Sequence, residues 1–157
     1  MSLVVEYQQA RREEDVARLR RVLALRALVA TGSSQREIAE ALGVSQPAVS
    51  QQLKAARAVT EVHPETLLAA AAPILVDVAH SKGFDRLAAF GSVARREARV
   101  DSDIDLLVDA PATAGIKELV ELRRIFEEIL GRPVDLVTYG GLKPTIDADI
   151  RAEALPL

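Results

Sequence analysis

Apolar residues near the start of the chain are spaced as on one face of a helix. From residue 13 to residue 30 they recur mostly at steps of three and four among arginines, which predicts an amphipathic helix. These apolar positions are Val16, Leu19, Leu23 and Leu28. Thr31 and Gly32 interrupt the pattern and predict the end of this helix.

A short second helix is predicted over residues 34–42. Ser34 is followed three residues later by Glu37, which is the pattern of a capping box. The apolar side chains of Ile38 and Leu42 are expected to be buried on one face of this helix. Gly43 then allows the chain to turn.

A third helix is expected to begin after this turn and to reach about residue 57. The Ser45 hydroxyl can cap its first turn, and Pro47 is tolerated there because its missing N–H removes no helical hydrogen bond. Val49 and Leu53 give the helix a buried face. The first part of the chain is therefore predicted to be all helical.

A linker is predicted at residues 60–64, because the residue before Pro64 avoids helical backbone angles. We therefore divide the chain into an N-terminal domain of residues 1–60 and a second domain of residues 61–157. The second domain opens with an alanine- and leucine-rich helix up to residue 79, which Pro73 is expected to kink or split.

The rest of the second domain alternates strands with helices. Short apolar runs predict buried strands at residues 87–90, 104–108 and 134–139. Helical periodicity over residues 116–130 ends at Gly131, and a last short helix is predicted over residues 146–154. The predicted fold class is mixed, α+β: an all-α N-terminal domain is followed by a small α/β domain with a short mixed sheet.

Composition excludes several classes of protein. The chain of 157 residues has no cysteine, which excludes disulfide frameworks, thiolate metal sites and thiol nucleophiles. Its longest apolar run, residues 67–76, is interrupted by Pro73 and is much shorter than the roughly 20 residues that span a bilayer. The first ten residues lack the basic flank and apolar stretch of a secretory signal, so a cytoplasmic protein without membrane contact is expected.

Charge differs between the two predicted domains. Residues 1–60 carry nine basic and six acidic side chains, for a net charge of +3, whereas residues 61–157 carry eleven and seventeen, for a net charge of −6. A mildly basic domain suits a polyanion, and an acidic domain with clustered aspartates suits cations. Only five aromatic residues are present, which gives little support to binding of single strands by base stacking.

Residues 35–54 have the pattern that a helix-turn-helix requires. Ala39 is small where two helices cross closely, Gly43 allows the turn, and Val44 is expected to join the shared core. Polar residues at the start of the next helix then fall on its free face, where they can contact base edges or phosphates of double-stranded DNA. The DNA-binding candidates are Ser45, Gln46, Ser50, Gln51, Lys54 and Arg57.

This segment resembles the helix-turn-helix of bacterial repressors. The resemblance implies binding to an operator, which would be two-fold symmetric if the protein forms a homodimer. The alternative is a helical hairpin that only packs or mediates dimerisation.

A pair of aspartates on one predicted strand gives the strongest chemical signal. Asp103 and Asp105 project from the same face of the strand because they are two residues apart. Their carboxylates repel each other, and a hard divalent cation such as Mg²⁺ or Mn²⁺ relieves that repulsion. Gly91 and Ser92 follow an earlier strand and can bring backbone N–H groups and a hydroxyl close to a phosphate. The combination indicates a nucleoside triphosphate.

A third carboxylate, Asp135, lies inside an apolar strand, where a charge is costly unless it is paired or bound to metal. If Asp135 faces the other two from a neighbouring strand, three aspartates can hold two metal ions for in-line displacement at phosphorus. Asp135 would then be a metal ligand and a base toward the attacking hydroxyl. A structural hydrogen bond is the alternative role for this residue.

These motifs are spaced as in the minimal nucleotidyltransferases of the DNA polymerase beta-like superfamily, which the sequence resembles over roughly residues 65–155. The signature of that family is Gly-Ser, ten intervening residues and Asp-x-Asp. Here Gly91-Ser92 is followed after ten residues by Asp103-Ile104-Asp105. The similarity extends through Arg95 and through the strand around Asp135.

The resemblance implies a division of tasks in the second domain. Asp103, Asp105 and Asp135 would bind Mg²⁺ or Mn²⁺. Gly91, Ser92 and Arg95 would hold the triphosphate of ATP, with a surface charge as the alternative role for Arg95. AMP would pass to a hydroxyl with release of pyrophosphate. Arg96 departs from the family, since many relatives have glycine there, and it either alters the turn or adds a phosphate contact.

Small nucleotidyltransferases of this kind resemble the antitoxins of toxin–antitoxin pairs whose toxin is a HEPN-domain ribonuclease. The resemblance implies that the protein silences a cognate HEPN-type toxin by adenylylation, while its DNA-binding domain represses its own operon. One alternative is a transcription regulator whose second domain senses a nucleotide or a partner without turnover. Another is a nucleotidyltransferase for a small molecule such as an aminoglycoside, although about 95 residues leave little chain for a dedicated pocket.

Overall fold

The N-terminal part of the chain is helical, as its pattern predicts. The structure is a computed structural model that describes residues 2–145 and 147–157, without the side chains of residues 56–58. Helix α1 (Leu3–Ala30) is followed by α2 (Gln35–Leu42) and α3 (Gln46–Ala55), and a 3₁₀ segment (Ala56–Glu61) leads into α4 (Pro64–Ser81).

Helix α1 begins ten residues earlier than its apolar pattern indicates. The Ser2 side chain caps it by accepting a hydrogen bond from the Val4 N–H at 3.3 Å. Residues 3–15 are all exposed, so this part of the helix packs on nothing in the described chain and has no apolar period to mark it.

The capping box of α2 is confirmed. The Ser34 N–H donates to Glu37 Oε2 at 2.7 Å, and the Glu37 N–H donates to Ser34 Oγ at 3.2 Å. Gly43 ends the helix in the left-handed region, with φ of +67°. Helix α3 ends at Ala55, slightly before the predicted end, because the chain tightens there into the 3₁₀ segment.

A small core holds the two short helices against α1. Its buried members are Leu25, Ile38, Ala39 and Val49, with Leu53 partly buried beside them. The expectation that Leu42 and Val44 are also buried is wrong, since they are 54% and 42% exposed. Leu25, Ile38 and Val49 already fill the contact, so Leu42 at the end of α2 and Val44 in the turn after it lie outside that core.

The second domain is built on a four-stranded mixed sheet with strand order β3-β2-β1-β4. Strand β1 pairs antiparallel with β2 and with β4, and β2 pairs parallel with β3. The elements in chain order are β1 (Asp85–Phe90), α5 (Gly91–Ala94), β2 (Ile104–Asp109), α6 (Ile116–Leu130), β3 (Val134–Thr138), a 3₁₀ turn (Tyr139–Gly141), α7 (Ala148–Glu153) and β4 (Leu155–Pro156). The three predicted strands and α6 are confirmed. The sequence pattern did not reveal α5 and β4, and Ile146, the predicted start of the last helix, lies outside the described residues.

Helix α4 runs through Pro73 without being split. Pro73 is exposed, so its ring faces away from the core and only the local helical hydrogen bond is lost. The helix buries its other side against the sheet through Leu67, Leu75 and Ala79. None of the described helices is long and apolar enough to span a bilayer.

Helix α1 contacts both predicted domains. Leu25 belongs to the small core of the helical pair, whereas Leu23, Ala27 and Ala30 pack into the main core with α4 and α6. Between them, Arg26 donates through Nε to the Ile129 carbonyl at 2.8 Å and through Nη2 to the Glu128 carbonyl at 2.6 Å. The N-terminal domain is therefore packed directly on α6, the helix that precedes β3.

Candidate functional site

Three residues on adjacent strands form one row across the sheet. Phe90 at the end of β1 is the register partner of Asp105 on β2, and Asp105 is the partner of Asp135 on β3. Partners in a ladder project from the same face, so the two carboxylates are neighbours. The proposed facing of Asp105 and Asp135 across neighbouring strands agrees with this register.

The aspartates lie on the face of the sheet opposite the main core. Ile104, Leu106 and Leu136 point into that core, whereas Leu107 belongs to the second face together with Phe90. The C-terminal part of the chain covers the second face through Leu142, Ile150 and Ala154. The edge with the aspartates remains open: Asp103 and Asp135 are exposed, and Asp105 is half-buried.

The surroundings of Asp105 disturb the ionisation of its carboxyl. Burial raises the pKa of Asp105 above its ordinary value, and the negative charges of Asp135 and Asp103 raise it further, while Arg95 acts in the opposite direction. Repulsion of this kind is what a bound cation would relieve. The site therefore has an electrostatic preference for positive charge.

Gly91 begins α5 directly after this row, and two features of the structure require glycine at this position. Its φ is +70°, in the left-handed region. A Cβ placed there would overlap Oδ2 of Asp105 and lie 3.0 Å from its Cγ. The Gly-Ser turn can therefore pass close to Asp105 only with glycine at this position. Ser92, the next residue, is half-buried, and its hydroxyl has no hydrogen-bond partner among the described residues.

Arg95 lies one turn further and is held by two carboxylates. Its Nη1 donates to Oε2 of Glu153 at 3.0 Å, and its Nε donates to Oε2 of Glu97 at 3.1 Å. The hydrogen bonds that Arg95 donates to Glu153 and Glu97 raise the pKa of its guanidinium. The same Glu153 accepts the Gly91 N–H at 2.9 Å, and this backbone hydrogen bond lowers the pKa of the Glu153 carboxyl.

The donor set fits a hard divalent cation. Asp105 and Asp135 are two neighbouring carboxylates, with Asp103 just before β2 and no sulfur or aromatic nitrogen among these three ligand candidates. Within residues 2–145 and 147–157, however, no three acidic or histidine side chains converge closely enough to form a complete metal cage. The aspartates thus offer an open set of oxygen ligands that a nucleotide's phosphates would have to complete.

Arg132 fixes the loop that carries Asp103. Its Nη1 donates to the Val100 carbonyl at 3.0 Å and to the Ser102 carbonyl at 3.4 Å. Its Nη2 donates to the carbonyls of Thr60 and Val62 at 3.3 and 2.7 Å. Burial lowers the pKa of this guanidinium, and Asp103 raises it. Neither Arg132 nor Glu153 was a candidate from the sequence, since neither belongs to a spaced motif.

Arg96 has a backbone conformation that favours glycine. Its φ is +57°, in the left-handed region, which explains why a glycine suits this position. Its exposed guanidinium makes no hydrogen bond or ion pair with the described residues. The departure at residue 96 therefore leaves the turn in place and adds a free positive charge next to Arg95.

The proposed DNA-contacting residues lie mostly on the outer surface of α3. Gln46, Gln51 and Lys54 are exposed, and Ser50 is half-buried. Gln46 Nε2 donates to Oε1 of Gln35 at 2.8 Å, which links the two helices of the pair. Ser45, also exposed, accepts the Ala48 N–H at 3.2 Å and so caps α3, while the side chain of Arg57 lies outside the described residues.

This mixed sheet, with paired aspartates beside a Gly-Ser turn, defines a nucleotidyltransferase, and its helical head is a helix-turn-helix. Comparison with known families agrees: residues 79–155 match the nucleotidyltransferase domain, and residues 20–57 match the arsR family of bacterial regulatory proteins. The chain belongs to the minimal nucleotidyltransferases, with an added N-terminal helix-turn-helix of the arsR type. Nucleotidyltransferases of this family generally use a nucleoside triphosphate and a divalent metal.

Similar proteins are known from archaea. The chain is 36% identical over 81 residues to MJ0435 of Methanocaldococcus jannaschii, assigned as a protein adenylyltransferase, a match that covers 52% of this chain and 87% of that protein. It is 37% identical over 73 residues to the protein adenylyltransferase MntA of Thermococcus cleftensis, covering 46% and 74% of the two chains. A solved structure assigned as a minimal nucleotidyltransferase is 36% identical and superposes with a TM-score of 0.55 over 59% of this chain and 95% of its own.

Proposed function

We propose that this protein is a Mg²⁺-dependent adenylyltransferase that neutralises a cognate HEPN-type toxin by transferring AMP from ATP to a toxin hydroxyl. Its helix-turn-helix would bind the operator of its own operon. The observation that carries the proposal is the row of Asp105 and Asp135 directly beside the Gly91-Ser92 turn. The protein adenylyltransferase names of two relatives support a protein as the acceptor.

Transfer of AMP requires groups that bind the metal, bind the triphosphate and accept a proton, and the side chains of this site can be assigned to these roles. Asp103, Asp105 and Asp135 would hold Mg²⁺, which when bound neutralises phosphate charge and polarises the α-phosphate. The Ser92 hydroxyl and the Arg95 guanidinium would bind oxygens of the β- and γ-phosphates. Asp135 is exposed on the edge strand β3, where an incoming hydroxyl can reach it. It would accept the proton of that hydroxyl.

The transfer itself is one displacement at phosphorus. The acceptor oxygen forms a bond to the α-phosphorus of ATP, and the bond from that phosphorus to the oxygen bridging to the β-phosphate breaks. The electron pair of the broken bond leaves with pyrophosphate, and the proton of the hydroxyl goes to Asp135. The products are an AMP ester of the acceptor and pyrophosphate.

The surroundings of the aspartates suit a protein acceptor better than a small one. A groove of about 720 Å³ lies between α1, α4 and α5, but none of the three aspartates lines it. Asp103 and Asp135 are instead exposed at the rim of the sheet. A protein surface docked over this rim would supply the positioning that the small domain lacks.

The test is to incubate the purified protein with Mg²⁺, ATP and the product of the adjacent gene, and to measure the intact mass of that product. We expect a gain of one AMP unit, lost with Asp103→Asn but kept with Asp101→Asn, which alters an exposed carboxylate of the same loop. A product that binds tightly but gains no mass would contradict catalysis and favour a non-catalytic antitoxin. Transfer to an aminoglycoside instead would favour the small-molecule alternative.

A further inference from the structure

Glu153 connects the two groups that would hold the triphosphate. Its Oε1 accepts the Gly91 N–H at 2.9 Å. Both of its carboxylate oxygens accept from Arg95 Nη1, at 3.3 and 3.0 Å. The Glu153 side chain is only 23% exposed, against 48% for Arg95, so this contact is shielded from solvent more on the glutamate side.

The backbone holds Glu153 firmly next to the Gly-Ser turn. Strand β4 begins two residues after Glu153 and pairs with β1 at Ala88 and Ala89, and the Leu157 N–H donates to the Leu87 carbonyl at 3.0 Å. Strand β1 leads straight into Gly91. The Glu153 carboxylate and the Gly91-Ser92 turn are therefore both held next to β1. The pairing of β4 with β1 brings them together although Gly91 and Glu153 are 62 residues apart in sequence.

Glu153 accepts hydrogen bonds from only some of the donors at the Gly91-Ser92 turn. Among the described residues, neither the Ser92 hydroxyl nor the Nη2 of Arg95 has a hydrogen-bond partner. Glu153 occupies Nη1, and Glu97 occupies Nε, so the guanidinium is oriented with its remaining N–H groups free. A guanidinium held on one side loses less side-chain freedom when it binds a phosphate on the other.

We propose that Glu153 is a positioning residue for the triphosphate: it fixes the Gly91 N–H and one side of Arg95 so that Ser92 and Arg95 face phosphate oxygens beside Asp105. This inference rests on the proposed nucleotidyltransferase function and assigns the C-terminal segment of residues 148–157 a part in it. A carboxylate that instead occupied the phosphate position would be expelled by ATP. The two arrangements predict opposite changes in affinity when Glu153 is replaced.

The experiment measures binding of ATP and of AMP, each with Mg²⁺, by calorimetry on Glu153→Ala, Glu153→Gln, Arg95→Ala and the double variant Arg95→Ala/Glu153→Ala. We expect Glu153→Ala to weaken ATP binding by about tenfold, the size of one charge-assisted hydrogen bond, and to weaken AMP binding much less. Glu153→Gln keeps the size and one acceptor oxygen and should recover part of the loss. In the Arg95→Ala background, replacing Glu153 should have little further effect, because the guanidinium it orients is gone.

Glu97→Gln is the matched control, since the Glu97 carboxylate also accepts from Arg95, whereas the Gly91 N–H donates to Glu153. Its effect on ATP binding should be smaller than that of Glu153→Gln. Thermal unfolding without ligand shows whether each variant is folded. If Glu153→Ala does not fold, the ATP affinity of Glu153→Gln tests the inference.

The inference would be overturned by tighter ATP binding in Glu153→Gln, by unchanged binding, or by a loss that is equally large in the Arg95→Ala background. If wild type and Glu153→Ala bind ATP equally well, only the positioning role of Glu153 is contradicted. A wild-type protein that binds no ATP with Mg²⁺ removes the proposed function itself.

Discussion

Asp105 on β2 and Asp135 on β3 are register partners, and their two negative charges meet at the open rim of a mixed sheet. The pKa of Asp105 is raised by burial and then by the charges of Asp135 and Asp103. Both causes penalise the ionised form of Asp105 in the folded protein. The metal-free protein should therefore be less stable for having this carboxylate, which is a common cost of a functional site.

We predict that Asp105→Asn stabilises the metal-free protein and that the gain depends on pH. An aspartate whose pKa is higher when folded stabilises the native state fully below the unfolded value of about 3.9, and that contribution is lost as pH rises through the folded pKa. The difference in free energy of unfolding between Asp105→Asn and wild type should therefore grow from about pH 4 to pH 7. Urea denaturation in EDTA at several pH values measures it.

Two controls accompany this measurement. Asp101→Asn removes an exposed carboxylate from the loop before β2 and should give a pH profile parallel to that of wild type. With Mg²⁺ and ATP present, wild type should gain stability and Asp105→Asn should not. If the Asp105→Asn and wild-type profiles stay parallel across this pH range, folding does not raise the pKa of Asp105, and neither burial nor repulsion penalises its ionised form.

Arg96→Gly should stabilise the protein. Arg96 has φ of +57°, a conformation that costs a non-glycine residue about 1–2 kcal/mol, and the greater freedom of glycine in the unfolded chain offsets about 0.5–1 kcal/mol of the gain. We expect a net increase of up to about 1 kcal/mol, or about 2–4 °C in Tm for a chain of this size. Thermal unfolding measures the change.

Arg86→Gly is the matched contrast, because Arg86 also has a positive φ, of +53°. Its guanidinium, however, lies 4.2 Å from the centre of the Tyr139 ring and pairs with Asp109 at 3.9 Å. Relief of backbone strain should here be cancelled by loss of these contacts, which are worth about 0.5–1 kcal/mol for an exposed cation–π pair. A gain at 86 as large as that at 96 would show that the contacts of Arg86 with Tyr139 and Asp109 do not stabilise the fold.

Arg132→Ala should destabilise the protein by about 2–3 kcal/mol, because four carbonyl oxygens lose a charged donor. It should also slow nucleotide transfer in protein that is still folded, since Ser102 directly precedes Asp103. Chemical denaturation gives the change in free energy of unfolding, and transfer rates measured at the same temperature give the change in activity. Arg123→Ala removes an exposed arginine of α6 and should change neither number markedly. Full activity in folded Arg132→Ala would contradict the positioning of Asp103 by Arg132.

The parts of the fold that were predicted are those with local causes. The capping box of Ser34 and Glu37, the turn at Gly43 and the end of α6 at Gly131 each depend on residues close in sequence. The first half of α1 was missed because residues 3–15 are exposed all round and have no apolar period. Strand β4 is two residues long and contains Pro156, so it has no strand pattern to recognise.

The candidate site divides in the same way. Asp103, Asp105 and the Gly91-Ser92 turn were found because their spacing forms a motif, and Asp135 because a charge stood out in an apolar strand. The hydrogen bonds of Glu153 to Gly91 and of Arg132 to Val62 join residues 62 and 70 positions apart. Nothing in the sequence around Glu153 or Arg132 indicates that partner, since the contact exists only once the strands have paired.

Variants of α3 should separate base contacts from phosphate contacts. Gln51→Ala should lower the preference for the operator over unrelated DNA by about 1–3 kcal/mol, and Gln46→Ala should act similarly if Gln46 leaves Gln35 to reach a base. Lys54→Ala should instead weaken binding to all sequences and reduce the salt dependence by about one phosphate contact. Binding to operator and to scrambled DNA at several salt concentrations distinguishes them. Variants that leave both affinities unchanged would mean that this face of α3 does not contact DNA.

Asp135→Asn should reduce transfer more than it reduces ATP binding. Asp135 lies on the edge strand and is exposed, so it is the aspartate of the row that an acceptor hydroxyl can approach from outside the sheet. Loss of a general base typically costs about 10²–10⁴ in rate, whereas Asp105 still supports nucleotide binding. The comparison is the single-turnover rate of AMP transfer against the Kd for ATP with Mg²⁺, with Asp103→Asn as the variant expected to weaken both. Equal losses in rate and affinity for Asp135→Asn would assign it to metal binding alone, because loss of the base should lower the rate beyond what the loss of ATP affinity explains.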